Sequence, residues 1–244
     1  MRKVSFVFGS LVLALCSMNA QAQMPDPTVQ DTQFAAYDIG ALKAGEWVEY
    51  SMEAYGQKYS YKYACVAVEG DTVYIEYADM GLAMMHKGTV ILVAVNKGDR
   101  KVTKAWWGKP GEKGKSIEVK ATPAAGAGTP GETPKMKGKG KVSKEKCNVA
   151  GKDFDCEKLE MEITTTVQGK DYVSKSSVWM AENVPFKNFV DEKADPAKAM
   201  GDITWEGKPS GKGTMVKTES EMMGQKSVIA LSGTGTDAKQ TLQK

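Results

Sequence analysis

The chain has 244 residues, with 33 Lys and Arg against 30 Asp and Glu, and a single histidine. Setting aside Arg2 and Lys3, which precede an apolar run, the balance is 31 against 30, and Arg100 is the one other arginine. Such a chain carries no electrostatic footprint for nucleic acid and few groups for bidentate phosphate recognition; one histidine excludes a multi-histidine metal centre and leaves His86 as the only base available to a Ser-His or Cys-His arrangement.

The first residues read as a secretory signal peptide over 1–22. Arg2 and Lys3 are followed by the apolar run Val4 to Cys16 and by Ala20-Gln21-Ala22, the small-x-small pattern of a cleavage site after Ala22. Leu15 stands where a lipobox wants a small residue before Cys16. No later apolar run reaches the ~18 residues of a membrane-spanning helix. The expected location is the periplasm, with secretion as the alternative. Residues 23–40 are polar and read as a flexible segment, and residues 41–244 as a single β domain.

Strands are expected over Trp47 to Met52, over the alternating run QKYSYKYACVAVEG, and over TVYIEYADM after a turn at Glu69-Gly70-Asp71. In the second of these, Tyr59, Tyr61, Tyr63 and Cys65 point to one side and Lys58, Ser60 and Lys62 to the other. His86 lies in a Met-rich loop with Met84 and Met85 and reads as a partly exposed side chain rather than a metal ligand. Gly88 to Val95 suits a buried strand and Lys101 to Trp107 its partner. Residues 108–146, rich in Gly, Pro and Lys, read as a flexible loop. Alternation resumes from Cys156. YVSKSSVWM returns after a turn at Gln168 to Asp171, a short helix is expected from Asp195 to Gly201, and the last strands run over Thr214 to Met222 and Lys226 to Ser232, with a polar tail from 234. The expected fold is mainly β: one antiparallel curved sheet or incomplete barrel, with a β-sandwich as the alternative and at most one short helix.

Cys65, Cys147 and Cys156 follow the leader. Neither C-x-x-C nor a second cluster is present, which speaks against zinc and dithiol catalysis. A two-residue hairpin loop at Gly151-Lys152 would set Cys147 opposite Cys156, so a disulfide between them is expected, with Cys65 a buried thiol. Leu159, Met161 and Ile163 lie on the opposite strand face from Phe154 and Cys156, through either a bulge or a twisted strand.

The stretches GEWVEY, VAGKDFDCEKLEMEI and SSVWMAENVPF resemble those of a loosely defined group of uncharacterised exported bacterial β-rich proteins. That group is distantly similar to the periplasmic lipoprotein-carrier fold, an unclosed β-barrel with an apolar concavity. The resemblance implies a non-enzymatic carrier for a lipid or lipoprotein tail, without cofactor, and supplies no catalytic residue. The residues offered as lining are Tyr59, Tyr61, Tyr63, Trp179, Met180 and Met222, each of which also suits plain core packing. The other readings are an envelope-associated structural protein and a hydrolase run on carboxylates such as Asp153, Asp155 and Glu157.

Overall fold

The structure, a computed structural model, describes residues 26–54, 57–78, 86–122, 135–167, 170–191, 195, 197, 202–222 and 224–244. The expected leader, Met84, Met85 and most of the expected helix from Asp195 to Gly201 lie outside these residues.

Fourteen strands follow in chain order: β1 (Val29–Gln30), β2 (Trp47–Ala54), β3 (Gln57–Glu69), β4 (Thr72–Ala78), β5 (Val90–Asn96), β6 (Val102–Gly108), β7 (Lys115–Ile117), β8 (Val119–Lys120), β9 (Lys135–Val149), β10 (Lys152–Val167), β11 (Lys170–Ala181), β12 (Asp202–Glu206), β13 (Thr214–Met222) and β14 (Gln225–Gly235). Twelve of them form one sheet in the order β12-β9-β10-β11-β13-β14-β2-β3-β4-β5-β6-β7. Every neighbouring pair is antiparallel except β12 with β9. The sheet is curved and its outer strands, β12 and β7, do not close it into a barrel. The remaining pair, β1 and β8, is a small parallel sheet.

Alternation of β-branched and aromatic side chains builds this sheet. Along β3, β4 and β5 the inward positions are Tyr63, Cys65, Ile75, Tyr77, Val93 and Val95, and cross-strand partners share a face. Segments from both ends of the chain cover this half. Residues 26–40, within the 23–40 segment expected to be flexible, instead bring Val29, Phe34 and Ile39 into the core at 0–1 % exposure, where Phe34 meets the rings of Tyr63 and Tyr77 edge-on. Three large apolar residues in a short polar stretch bury enough surface to offset its ordering entropy.

The polar tail also docks. Glu76 is buried on the opposite face of β4, where its carboxylate accepts hydrogen bonds from the Thr241 amide (2.9 Å), the Thr241 hydroxyl (2.8 Å) and the Leu242 amide (2.9 Å). Leu242 is fully buried. A carboxylate satisfied by three donors is stable out of water, and this one ties the chain's end across β4.

The expected loop over 108–146 is corrected in part. Lys135–Val149 is β9, paired along its length with β10, and β7 and β8 lie within 115–120. KGKGKV is not featureless: Lys137, Lys139 and Lys141 alternate with Gly138, Gly140 and Val142, a period of two. The glycines serve close approach, since a Cβ on Gly140 would meet the Trp205 ring of β12 at 2.4 Å.

The β9–β10 turn is corrected by one residue. Ala150 and Gly151 are its central pair, with φ of 52° and 69°, the two positive values of a type I′ turn. Cys147 therefore faces Phe154, and Cys156 faces Glu145. Both registers put Cys147, Val149, Phe154 and Cys156 on one face, so burial does not choose between them. The turn does: a two-residue loop at Ala150-Gly151 fixes the pairing of Val149 with Lys152 and with it the rest of the hairpin. In this register Lys146, Lys144, Lys141 and Lys139 stand opposite Asp155, Glu157, Glu160 and Glu162, and the Asn148 amide donates to Asp153 at 2.7 Å.

Replacing Glu76 with Ala should leave the Thr241 and Leu242 donors unpaired and cost about 1–3 kcal/mol. Thermal unfolding should show a fall of roughly 3–8 °C in Tm, and limited proteolysis should remove the last residues first.

Candidate functional site

The two faces of the sheet differ in chemistry. On one, a single band crosses seven strands: Val142, Leu159, Val178, Thr218, Ile229, Met52 and Tyr59 are successive cross-strand partners. Its β9–β11 end is a separate apolar cluster of buried Leu159, Met161, Val178 and Met180, with Val142, Ile163, Ile203, Trp205 and Met215 packed against it. Its other end runs into the main core through Ile229, Tyr61 and Tyr63.

The register of β10 is unbroken from Lys152 to Thr166, so the change of buried face noted at Cys156 and Leu159 is not a bulge. Phe154 and Cys156 belong to the main core, and Leu159 and Met161, on the other face, to the second cluster. The twisted strand buries one face at its start and the other farther along.

The opposite face of β9–β14 carries a ladder of alternating charge: Lys139, Glu162, Lys175, Glu221 and Lys226 are successive cross-strand partners. Lys175 pairs with Glu162 at 3.5 Å and Lys226 with Glu221 at 3.8 Å. These residues, with Glu160, Glu219 and Lys141, line a concavity of about 500 Å³. A second cleft of about 650 Å³ is lined by Lys144, Glu157, Cys156, Met180 and Ser210, whose amide and hydroxyl both donate to Glu157 at 2.9 and 3.0 Å.

Five of the six lining candidates share the apolar face. Tyr61 stacks on Tyr50 (5.2 Å between centroids) and Tyr63 on Tyr77 (5.8 Å), both against the filled core. Burial raises the phenol of Tyr61 above its ordinary value and that of Tyr50 well above it. Tyr59 is half-buried, Met180 lies in the second cluster and Met222 is 56 % exposed. Trp179 faces the other way, between the ammonium groups of Lys158 (5.0 Å) and Lys217 (4.9 Å), and its indole N–H donates to Glu145. Sequence reading missed Tyr172, which is 38 % exposed and two positions from Ser174, the partner of both Ile163 and Met222. Its signal was the shared parity of Tyr172, Val178 and Met180 along β11.

Of the other residues singled out, half-buried His86 packs edge-on to Trp107 at 5.1 Å. Asp153 is held by Asn148. Among the described residues no group of three or more His, Cys, Asp or Glu side chains could hold a metal ion, and no helix is long and apolar enough to cross a membrane. The three cysteines among the described residues, Cys65, Cys147 and Cys156, are free thiols, so the expected Cys147–Cys156 bridge is not formed in this structure. Cys65 is fully buried, and burial, with Glu46 adding to it, pushes its thiol up to about 12.

No family model and no curated protein matches the chain. Among solved structures, a protein from Bacteroides fragilis described as exported and of YmcC-like fold aligns at 10% identity and a TM-score of 0.32, over 82% of this chain and 99% of that one. A LolA superfamily protein from Nitrosomonas europaea aligns at 13% identity and a TM-score of 0.22, over 88% and 94% of the two chains.

Glu162→Lys should place three lysines side by side across β9, β10 and β11, costing roughly 0.5–1 kcal/mol at low salt. Urea midpoints measured at low and high ionic strength should differ more for this variant than for the parent.

Cys65 supplies a pH test. Its folded pKa of about 12 exceeds its ordinary value of 9.0, so its contribution to stability is present below pH 9.0 and is lost as pH rises towards 12. In native protein at neutral pH, Cys65 should resist iodoacetamide and react only on unfolding.

Proposed function

We propose that this protein is an exported, non-enzymatic binding module that takes an apolar chain, a lipid or lipoprotein tail, against the apolar face of its open sheet. The observation that carries the reading is where, among the described residues, that face runs out of cover. Around Leu159 and Met161 it is closed by Ile203 and Trp205 of β12 and the adjoining strands. Towards the β10–β11 and β13–β14 turns it continues through Ile163 to Tyr172 and Met222, which are 38 % and 56 % exposed. An apolar face that outruns its covering segments is surface on which an acyl chain gains free energy by displacing water. Met adapts to an irregular chain, and Tyr offers an apolar body with a polar tip. The aromatic half of the sheet is filled by Phe34, Ile39 and Phe186, so the proposed ligand lies at the hairpin end rather than in an enclosed hollow. The carboxylates of the charged concavity stand in ion pairs, Glu162 with Lys175, Glu206 with Lys141 and Glu221 with Lys226, an arrangement that favours a solvated face over acid–base catalysis.

A fluorescent fatty-acid probe should bind the delipidated protein with micromolar affinity, about −8 kcal/mol, and be displaced by phospholipid. Met222→Asp and Tyr172→Asp, at exposed positions, should weaken binding tenfold or more without lowering Tm, while Glu221→Gln on the opposite face should not. A folded, delipidated sample that ignores the probe would exclude this reading in favour of an envelope-associated structural role.

A further inference from the structure

Cys147 and Cys156 lie on the same face of the β9–β10 hairpin, displaced by two residues from direct opposition. The right-handed twist of paired strands shortens one of the two diagonals across such a hairpin. Here the two thiols are near enough for each to shift the other's titration. Cys156 also donates to the Phe154 carbonyl at 3.6 Å. Both side chains are buried in the main core, and of the two residues Cys156 borders the 650 Å³ cleft. Cys65, on β3, is fully buried, and its thiol is directed to the Ala67 carbonyl at 3.9 Å.

We propose that Cys147 and Cys156 are a diagonal redox pair that is oxidised to an intramolecular disulfide, with Cys65 remaining a thiol. The oxidant is a small-molecule or protein disulfide, and the exchange proceeds in two steps. The Cys156 thiolate attacks one sulfur of the oxidant, forming a mixed disulfide and releasing one oxidant thiol. Cys147 then loses its proton, attacks the Cys156 sulfur and releases the second oxidant thiol. Two electrons and two protons pass from the pair to the oxidant disulfide. Cys156 is the first nucleophile because it is the one of the two that borders the cleft. Burial raises both thiols, Cys156 to about 12, whereas Lys217 offsets part of the rise at Cys147. A low thiolate fraction makes the reaction slow at neutral pH and faster as pH rises. The bridge would close residues 148–155 around the Ala150-Gly151 turn and lock the register that this turn sets. This inference stands apart from the binding proposal and survives its failure.

The test is equilibration of the purified full chain with reduced and oxidised glutathione at mildly alkaline pH, followed by an acid quench, alkylation in denaturant without reductant, and peptide mapping. The expected result is a linked pair of peptides containing Cys147 and Cys156, alkylation at Cys65 alone, and a Tm roughly 5–10 °C above that of the reduced chain. A bridge that includes Cys65, glutathione adducts without a bridge, or three alkylated cysteines at equilibrium would each overturn it. Because the mapping uses the unsubstituted chain, the outcome does not depend on whether a cysteine variant folds.

Discussion

A pleated strand offers alternate side chains to opposite faces, and β10 buries both of them. Phe154 and Cys156 enter the main core, whereas three residues farther on Leu159 and Met161 enter a second cluster on the other side, with no break in register. Both apolar sets remove side chains from water, so neither face of this strand can be left bare along its whole length. The surrounding structure answers that demand. The sheet is long and curved, and β12 returns in parallel to lay Trp205 over the gap at Gly140. The main core gathers the turn end of β9 and β10 together with the aromatic strands β2 to β5.

Burial fixes which face each residue takes, but it is blind to a slip of two residues, which returns every side chain to its own side. Along β9 and β10 the choice falls to the turn, because the two-residue loop at Ala150-Gly151, with both residues at positive φ, fixes which residues pair. Lysines and carboxylates face one another along the hairpin, and the ladder continues through Lys175, Glu221 and Lys226. A single exposed ion pair is worth only about 0–1 kcal/mol, so these charges support a register that the turn has set. The same ladder gives the concavity of β9–β14 a polar lining, so a concave shape there does not imply an apolar site.

The two ends of the chain decide where apolar surface remains. Val29, Phe34 and Ile39 close the aromatic half from one side, and the tail held by Glu76 closes β4 from the other. Their reach stops short of the hairpin turns that carry Tyr172 and Met222. The proposed binding surface is thus set by what the covering segments leave exposed rather than by a preformed hollow.

The sequence by itself determined the mainly β class, the course of most strands from Trp47 onward, and the shared face of Tyr59, Tyr61 and Tyr63, because a period of two is a local property of the chain. It also exposed the conflict between Cys156 and Leu159, though not its resolution. Three features were decided only in the tertiary structure. The glycines and lysines of β9 became a strand because β10 offered a complementary ladder on one edge and β12 a ring to fill the missing Cβ on the other. The polar tail became ordered because Glu76, 165 residues away, presents a buried acceptor to Thr241. The opposite faces of Trp179 and Met180 follow from alternation, but only the fold put Trp179 between Lys158 and Lys217 and Met180 in the second cluster with Leu159. Each of these rests on a partner remote in sequence, and the energy of a contact depends on which groups the fold brings together.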